Sequence, residues 1–316
     1  MLLFGAWWLA ACSLPADRPA GLLLTDHPLA GRIWDVQAGR FVGRDRLADA
    51  IVDADYLLLG ETHDNPRHHQ GQAWAIAQLG AGGRPAAVAF EMISRQQGQF
   101  IAGRRYDSAE SLIAGLDHVQ TRWQYRRLYT PVFAATIDAG YAVLPANFDR
   151  DDILRFARNG EDALPAEIRM LLERTPLPAG QVAASRKEIE QSHCGMISEQ
   201  MTAAMMRVQR AKDAEMTRAL LGAQTAGTRV LVAGSGHVRT DRGVPLYLRD
   251  QVADGAVLAV AWLEVQPGLG DVASYAGHWG DGRLPFDFVW FTPRVDRPDP
   301  CKRFEQHMKH GRSGAG

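Results

Sequence analysis

Six short apolar runs punctuate the chain, and helical patterns separate them. Tyr56-Leu57-Leu58-Leu59 is continuously apolar and closes on Gly60, the pattern of a strand buried on both faces of a parallel sheet. Ala86 to Phe90, Tyr141 to Pro145, Arg229 to Ala233, Val257 to Val265 and Phe286 to Phe291 repeat it. A small hairpin is predicted between Arg32 and Val42, around Gln37-Ala38-Gly39-Arg40. Leu47 to Ala54 has helical spacing. Asn65 as N-cap and Pro66 at the first helical position predict a helix to about Leu79. Helical sequence resumes at Ser94. Trp123 to Ala139 is amphipathic, with Tyr125, Leu128, Tyr129, Val132 and Thr136 recurring at helical spacing. Strands alternating with helices predict an α/β fold, a mostly parallel sheet flanked by helices.

One interval breaks the alternation. Between the third and fourth strands lie about 80 residues with no strand signal, and Asp152 to Arg158, Pro165 to Glu173 and Ser185 to Leu221 read as helix. A smaller helical subdomain over 149–226, inserted late in a body of 22–293, is the expectation. The 294–316 stretch is Pro-rich, then Gly- and Ser-rich, and is expected to be a disordered tail. Residues 1–21 form a separate unit. MLLFGAWWLAA is too short to span a bilayer and fits the core of an export signal, and Pro15 to Gly21 reads as a tether. Leu9-Ala10-Ala11-Cys12 resembles a bacterial lipobox, which implies lipidation of Cys12. Ser13 after the cysteine implies the outer membrane, with a lipid-anchored body facing the periplasm or the surface.

Composition narrows the classes. Hydrophobic residues make up 46% and charged residues 22%, which excludes a wholly disordered or collagen-like chain. Lys+Arg total 35 against Asp+Glu 36, so no basic footprint calls for nucleic acid as a partner. With Cys12 set aside, Cys194 and Cys301 are left without metal-finger spacing. An exported chain can pair them, and the sequence leaves that open.

Ligands of a parallel sheet bind beyond the carboxyl ends of its strands. The first strand is followed by Gly60-Glu61-Thr62-His63-Asp64-Asn65, the second ends in Glu91, the third in Asn147-Phe148-Asp149-Arg150, and the fourth in Gly234-Ser235-Gly236-His237. Glu61, His63, Glu91 and His237 therefore come from separate segments yet are expected at one edge. Imidazoles with carboxylates suit acid/base catalysis, or a divalent metal such as zinc or manganese held by His63, His237 and Glu91. His68 and His69 fall in a first helical turn, where the helix dipole favours neutral imidazole.

GETHDNPRHHQ, AFEM with Gln96-Gln97, Trp123-x-Tyr125, and GSGH followed by Gly243-Val244-Pro245 resemble the ChaN-like, haem-binding-uptake branch of the Tiki superfamily. The resemblance spans roughly residues 30 to 265. It implies an α/β body with a smaller helical subdomain, and an iron-regulated outer-membrane lipoprotein that binds haem. Other branches are metal-dependent proteases or erythromycin-esterase-like hydrolases, which implies Glu61, His63, Glu91 and His237 as the shared, catalytic site. A haem-binding outer-membrane lipoprotein for haem or iron acquisition is the leading expectation, and a metal-dependent hydrolase the alternative. Haem, an outer-membrane haem receptor and a second copy of the chain are the expected partners.

Haem needs an apolar slot, an axial ligand and cations near its propionates. In the helical sequence from Ser185, the residues His193, Ile197, Met201, Met205 and Val208 share one stripe, enriched by Met196, Met206 and Met216. His193 is the candidate axial ligand and Met201 a candidate wall. Tyr125 beside Arg126 and Arg127 offers an aromatic and guanidinium groups for the carboxylates. Plain core packing is the competing reading for Tyr125 and for the methionines.

Overall fold

Leu57 and Leu59 enter one apolar core and Leu58 another, as the two-residue period of a strand covered on both faces requires. The computed structural model describes residues 21–302, apart from 122, 253–254, 278, 280–281 and 300. The expected export signal, Cys12 and the stretch 303–316 lie outside the described residues.

In chain order the strands are β1 (Leu22–Leu23), β2 (Ile33–Asp35), β3 (Arg40–Val42), β4 (Tyr56–Glu61), β5 (Ala86–Ser94), β6 (Ala142–Asn147), β7 (Thr228–Gly234), β8 (Val257–Glu264), β9 (Phe288–Thr292) and β10 (Arg294–Val295). The α-helices are α1 (Arg44–Asp53), α2 (Pro66–Ala81), α3 (Arg95–Ile101), α4 (Ala109–Leu116), α5 (Thr130–Asp138), α6 (Arg150–Asn159), α7 (Ala166–Arg174), α8 (Ala179–Ser192), α9 (Glu199–Leu221), α10 (Val244–Gln251) and α11 (Val272–Ala276). The main sheet has eight strands in the order β3-β2-β9-β8-β4-β7-β5-β6. From β9 to β6 every pairing is parallel, and the β2–β3 hairpin closes one edge antiparallel. All six apolar runs are strands, so the α/β expectation holds.

Helices cover both faces. Residues of α1 to α5 pack on the face carrying Leu57, Val88, Phe90 and Trp262. The end of α9, with α10 and α11, packs on the face carrying Leu58, Ala89 and Leu231. A third, smaller core of Phe156, Ile168, Leu172, Ala211 and Ala214 from α6, α7 and α9 is completed by Phe148 and by Tyr247 of α10.

Two expectations are corrected. The pattern from Ser185 to Leu221 is not one helix. His193 is the C-cap of α8, Cys194 and Gly195 take left-handed φ values of 59° and 66°, and Ser198 caps α9 by accepting from the Met201 amide. The stripe from His193 to Val208 is therefore split by a turn. The pattern from Trp123 to Ala139 is likewise divided, into a π-helical turn (Tyr125–Tyr129) and α5, with Pro131 near the start of α5. Beyond β9, β10 pairs with β1, and Cys301 forms a disulfide with Cys194.

Candidate functional site

Insertion of β7 between β4 and β5 decides the site, because it makes three sequence-distant strand ends neighbours. Glu61 ends β4 opposite Gly234 of β7, and Glu91 lies in β5 on the other side of β7. The loops carrying His63 and His237 leave from this same edge. Gly234 allows the crowding: its amide donates to Glu91 Oε2 at 2.9 Å, and a Cβ there would stand 3.0 Å from His63 Nε2.

Glu61 organises one half. His63 Nδ1 donates to its Oε1 at 2.8 Å, and the Tyr129 hydroxyl donates to the same oxygen at 2.6 Å. His69 Nε2 lies 3.0 Å from Oε2, off the line of a good hydrogen bond. Burial alone would push the Glu61 carboxyl up, but the imidazoles of His69 and His63 outweigh it and hold the group well below the usual carboxylate range. Burial, then the Glu61 charge, pushes the Tyr129 phenol far up, so it stays a donor.

Glu91 organises the other half. Its Oε1 accepts from Lys212 Nζ at 2.5 Å and lies 3.4 Å from His237 Nε2, while Oε2 lies 3.7 Å from His63 Nε2. His237 Nδ1 meets Asp213 Oδ1 at 2.6 Å. Burial pulls the His237 imidazole down, yet Glu91 and Asp213 together raise it to about 9, so it is cationic at neutral pH. His63 is also raised: burial opposes the shift, and Glu91 and Glu61 drive it. Burial pushes Glu91 up, but Lys212 and His237 hold it well below its ordinary value. Within this cluster His63 faces outward, with 38% of its side chain exposed and its ring edge-on to Trp123 at 4.9 Å.

The structure thus brings Glu61, His63, Glu91 and His237 together. His68 does something else. Its Nδ1 accepts from the Thr62 amide and its Nε2 meets Thr292 Oγ1, both at 2.7 Å. Burial lowers its pKa to about 3, so it is a neutral tie between loop and sheet rather than a solvated first-turn residue.

The four residues expected around haem, Tyr125, Arg126, His193 and Met201, each have other surroundings. Tyr125 is buried, and its hydroxyl donates to the Met92 carbonyl at 2.6 Å. Arg126 pairs with Asp117 at 2.6 Å on the surface. His193 sits at the end of α8 with Nδ1 against the Ile189 carbonyl, and Met201 is 49% exposed in the first turn of α9. Lys212, Asp213 and Tyr129 were not singled out for the site. Lys212-Asp213-x-Glu215 reads as a solvated helix face, and the signal against that reading is the buried apolar set around it, Ala211, Ala214 and Met216.

A cavity of about 1050 Å³ opens between α8 and the carboxyl edge of the sheet. Thr62, between Glu61 and His63, and Ser235, two residues before His237, line it together with Leu263, Leu269 and Trp279. Ala184, Lys187 and Glu188 of α8 form the opposite wall, and Arg239 and Arg242 complete the lining. Arg239 lies over the Trp279 ring at 4.9 Å and pairs with Asp241 and Glu188, and Arg242 also pairs with Glu188. Among the described lining residues, Tyr275 alone comes from the set of haem-ligating types His, Tyr, Met and Cys.

The family model for haem-binding uptake proteins of the Tiki superfamily, ChaN, matches residues 47–248. The chain belongs to this ChaN family. That match covers all four converging residues and the helical subdomain. Among solved structures, ChaN of Campylobacter jejuni, reported with cofacial haem, is similar in fold, with a TM-score of 0.63 at 20% identity. The match covers 82% of this chain and 95% of that one. The type III effector HopBA1 matches with a TM-score of 0.41 at 14% identity, over 79% of this chain and 92% of its own. An erythromycin esterase in its open conformation gives 0.41 at 12% identity, over 89% and 86%. These last two are too distant to inform the ChaN site. No curated protein sequence matches the chain.

Proposed function

We propose that this ChaN-family protein binds haem in the cavity under α8, as a lipid-anchored outer-membrane protein of haem or iron acquisition. The observation that carries the reading is the cavity itself. Its volume of about 1050 Å³ suits a large flat ligand, ordinary small-molecule sites spanning ~300–1,000 Å³. Leu263, Leu269 and Trp279 supply apolar surface for a porphyrin face, and Lys187, Arg239 and Arg242 supply cations for its carboxylates. Tyr275 supplies an oxygen able to hold the iron; in the free protein that oxygen accepts from the Gln266 amide at 2.6 Å. Bound haem would supply an iron able to take an oxygen ligand, while the chain's own work is apolar burial, charge pairing and exclusion of water. The sequence before the described residues supports the anchor, through the lipobox at Cys12. A surface-anchored haem carrier would exchange its cargo with an outer-membrane receptor, and a second copy of the chain is the further expected partner.

Titration of haemin into the metal-free protein tests this. A saturable Soret band is expected, with Ala184→Trp, which fills the cavity from α8, weakening binding at least about tenfold. Tyr275→Phe should shift the spectrum of whatever haem still binds. Equal affinity in Ala184→Trp and wild type would place haem elsewhere, and the absence of a Soret band would reject the reading. The alternative, a metal-dependent hydrolase, has the His63–Glu61 pair in its favour, but Lys212 against Glu91 stands where its metal is needed.

A further inference from the structure

His63, Glu91 and His237 are of residue types that bind divalent metals, and they meet at one place. The Nε2 atoms of both imidazoles face one carboxylate, at 3.7 Å and 3.4 Å. Asp213 fixes the orientation of His237 through Nδ1, and Glu61 fixes that of His63 through Nδ1. Carboxylates behind imidazoles are the usual way to aim Nε2 at an ion. The cation found there, however, belongs to the chain. Lys212 Nζ lies 2.5 Å from Glu91 Oε1, and its side chain is 15% exposed in the stretch of α9 that enters the body. Among the described residues, no group of His, Cys, Asp and Glu is arranged to hold a metal ion.

We propose that Lys212 is a built-in substitute for a divalent cation, occupying the Glu91 oxygen that a metal would take. Glu91 is buried, and a buried carboxylate requires a compensating positive charge and hydrogen bonds. The ammonium and the Gly234 amide satisfy its two oxygens. A divalent ion entering the same space would meet a like charge at contact distance and would have to displace it. Lys212 and Asp213 are consecutive residues of α9, so one helix turn supplies both the substitute cation and the support for His237. The centre is thereby closed to metal, and a chain of this design uses it as a charge-balanced pivot joining β4, β5, β7 and α9. This inference stands apart from haem binding, since none of its residues lines the cavity.

The test is zinc and manganese binding by calorimetry and elemental analysis, on folded protein. Wild type is expected to hold no metal that His63→Ala or His237→Ala removes, and to melt at the same temperature with and without a chelator. Lys212→Met, which keeps the aliphatic length and drops the charge, should gain one equivalent of zinc. Its affinity should exceed wild type by roughly 10- to 100-fold, the range that a neighbour of a metal site controls. Adding His237→Ala to Lys212→Met should abolish the gain. A folded Lys212→Met with no gain overturns the proposal. So does a wild-type protein carrying one metal equivalent that His63→Ala loses, a measurement that needs no Lys212 variant to fold.

Discussion

The charged centre lies behind Thr62 and Ser235 on one side of the cavity, helix α8 forms the other side, and the two are held by opposite means. At the centre, Glu61, Glu91, Asp213 and His237 are buried, and every carboxylate has a short, directed partner. In α8 no residue is buried, and the helix is attached through Glu188 to Arg239 and Arg242, through Ser185 to Arg242, and through the disulfide just past its end. Glu188 is exposed, so its pairs with the more buried Arg239 and Arg242 are partly screened, whereas breaking a pair whose carboxylate is buried strands a charge. The side of the cavity that adjoins the centre, through Thr62 and Ser235, is therefore fixed, and the α8 side is free to adjust. That division suits a site that must keep its shape at the floor and still admit a large rigid ligand.

Breaking the fixed side should cost most. Glu91→Ala leaves Lys212 and His237 without their shared carboxylate, and a loss of roughly 3–5 kcal/mol is expected in urea unfolding. A pH series should show the same centre with a definite sign. The His237 pKa is raised from 6.5 to about 9 on folding, so its contribution is complete below pH 6.5 and disappears as pH rises through 9. Its size is on the order of 3 kcal/mol, and His237→Gln should flatten that alkaline slope. On the adaptable side, Glu188→Ala should lower global stability by less than about 1 kcal/mol. Amide exchange along α8 should nevertheless quicken, because the Glu188 pairs help to seat it. Smallest of all, Met201→Ala should stay within about 0.5 kcal/mol of wild type, since the side chain is exposed. A large loss there would show that the helical hairpin is more tightly packed than its exposure implies.

Much of the fold was legible because parallel strands buried on both faces leave unbroken apolar runs, as in Tyr56 to Leu59 and Val257 to Val265. The convergence of Glu61, His63, Glu91 and His237 was legible for the same reason: strand ends were recognisable, and ligand groups collect there. The strand order was not, and it is β7 lying between β4 and β5 that turns a shared edge into contact. Lys212 and Asp213 escaped notice because they arrive from a helix 121 residues beyond Glu91, with charges that read as surface. His193 and Met201 misled in the opposite way. Helical periodicity runs unbroken through the turn at Cys194-Gly195, and only the left-handed backbone there divides the stripe. The cavity-lining residues Arg239, Arg242 and Trp279 fit no periodic pattern, since they lie in loops.

The bond between Cys194 and Cys301 spans 107 residues of chain and so encircles α9, β7, α10, β8, α11, β9 and β10. Restricting so long a segment removes a large share of the freedom open to the unfolded polypeptide, worth about 4–5 kcal/mol in the chain-entropy model. Thiols stay separate in a reducing compartment and join in an oxidising one. The same polypeptide therefore has two grades of durability, set by where it matures: with the sulfurs apart, the tip of the helical hairpin and the C-terminal segment are free to move away from each other.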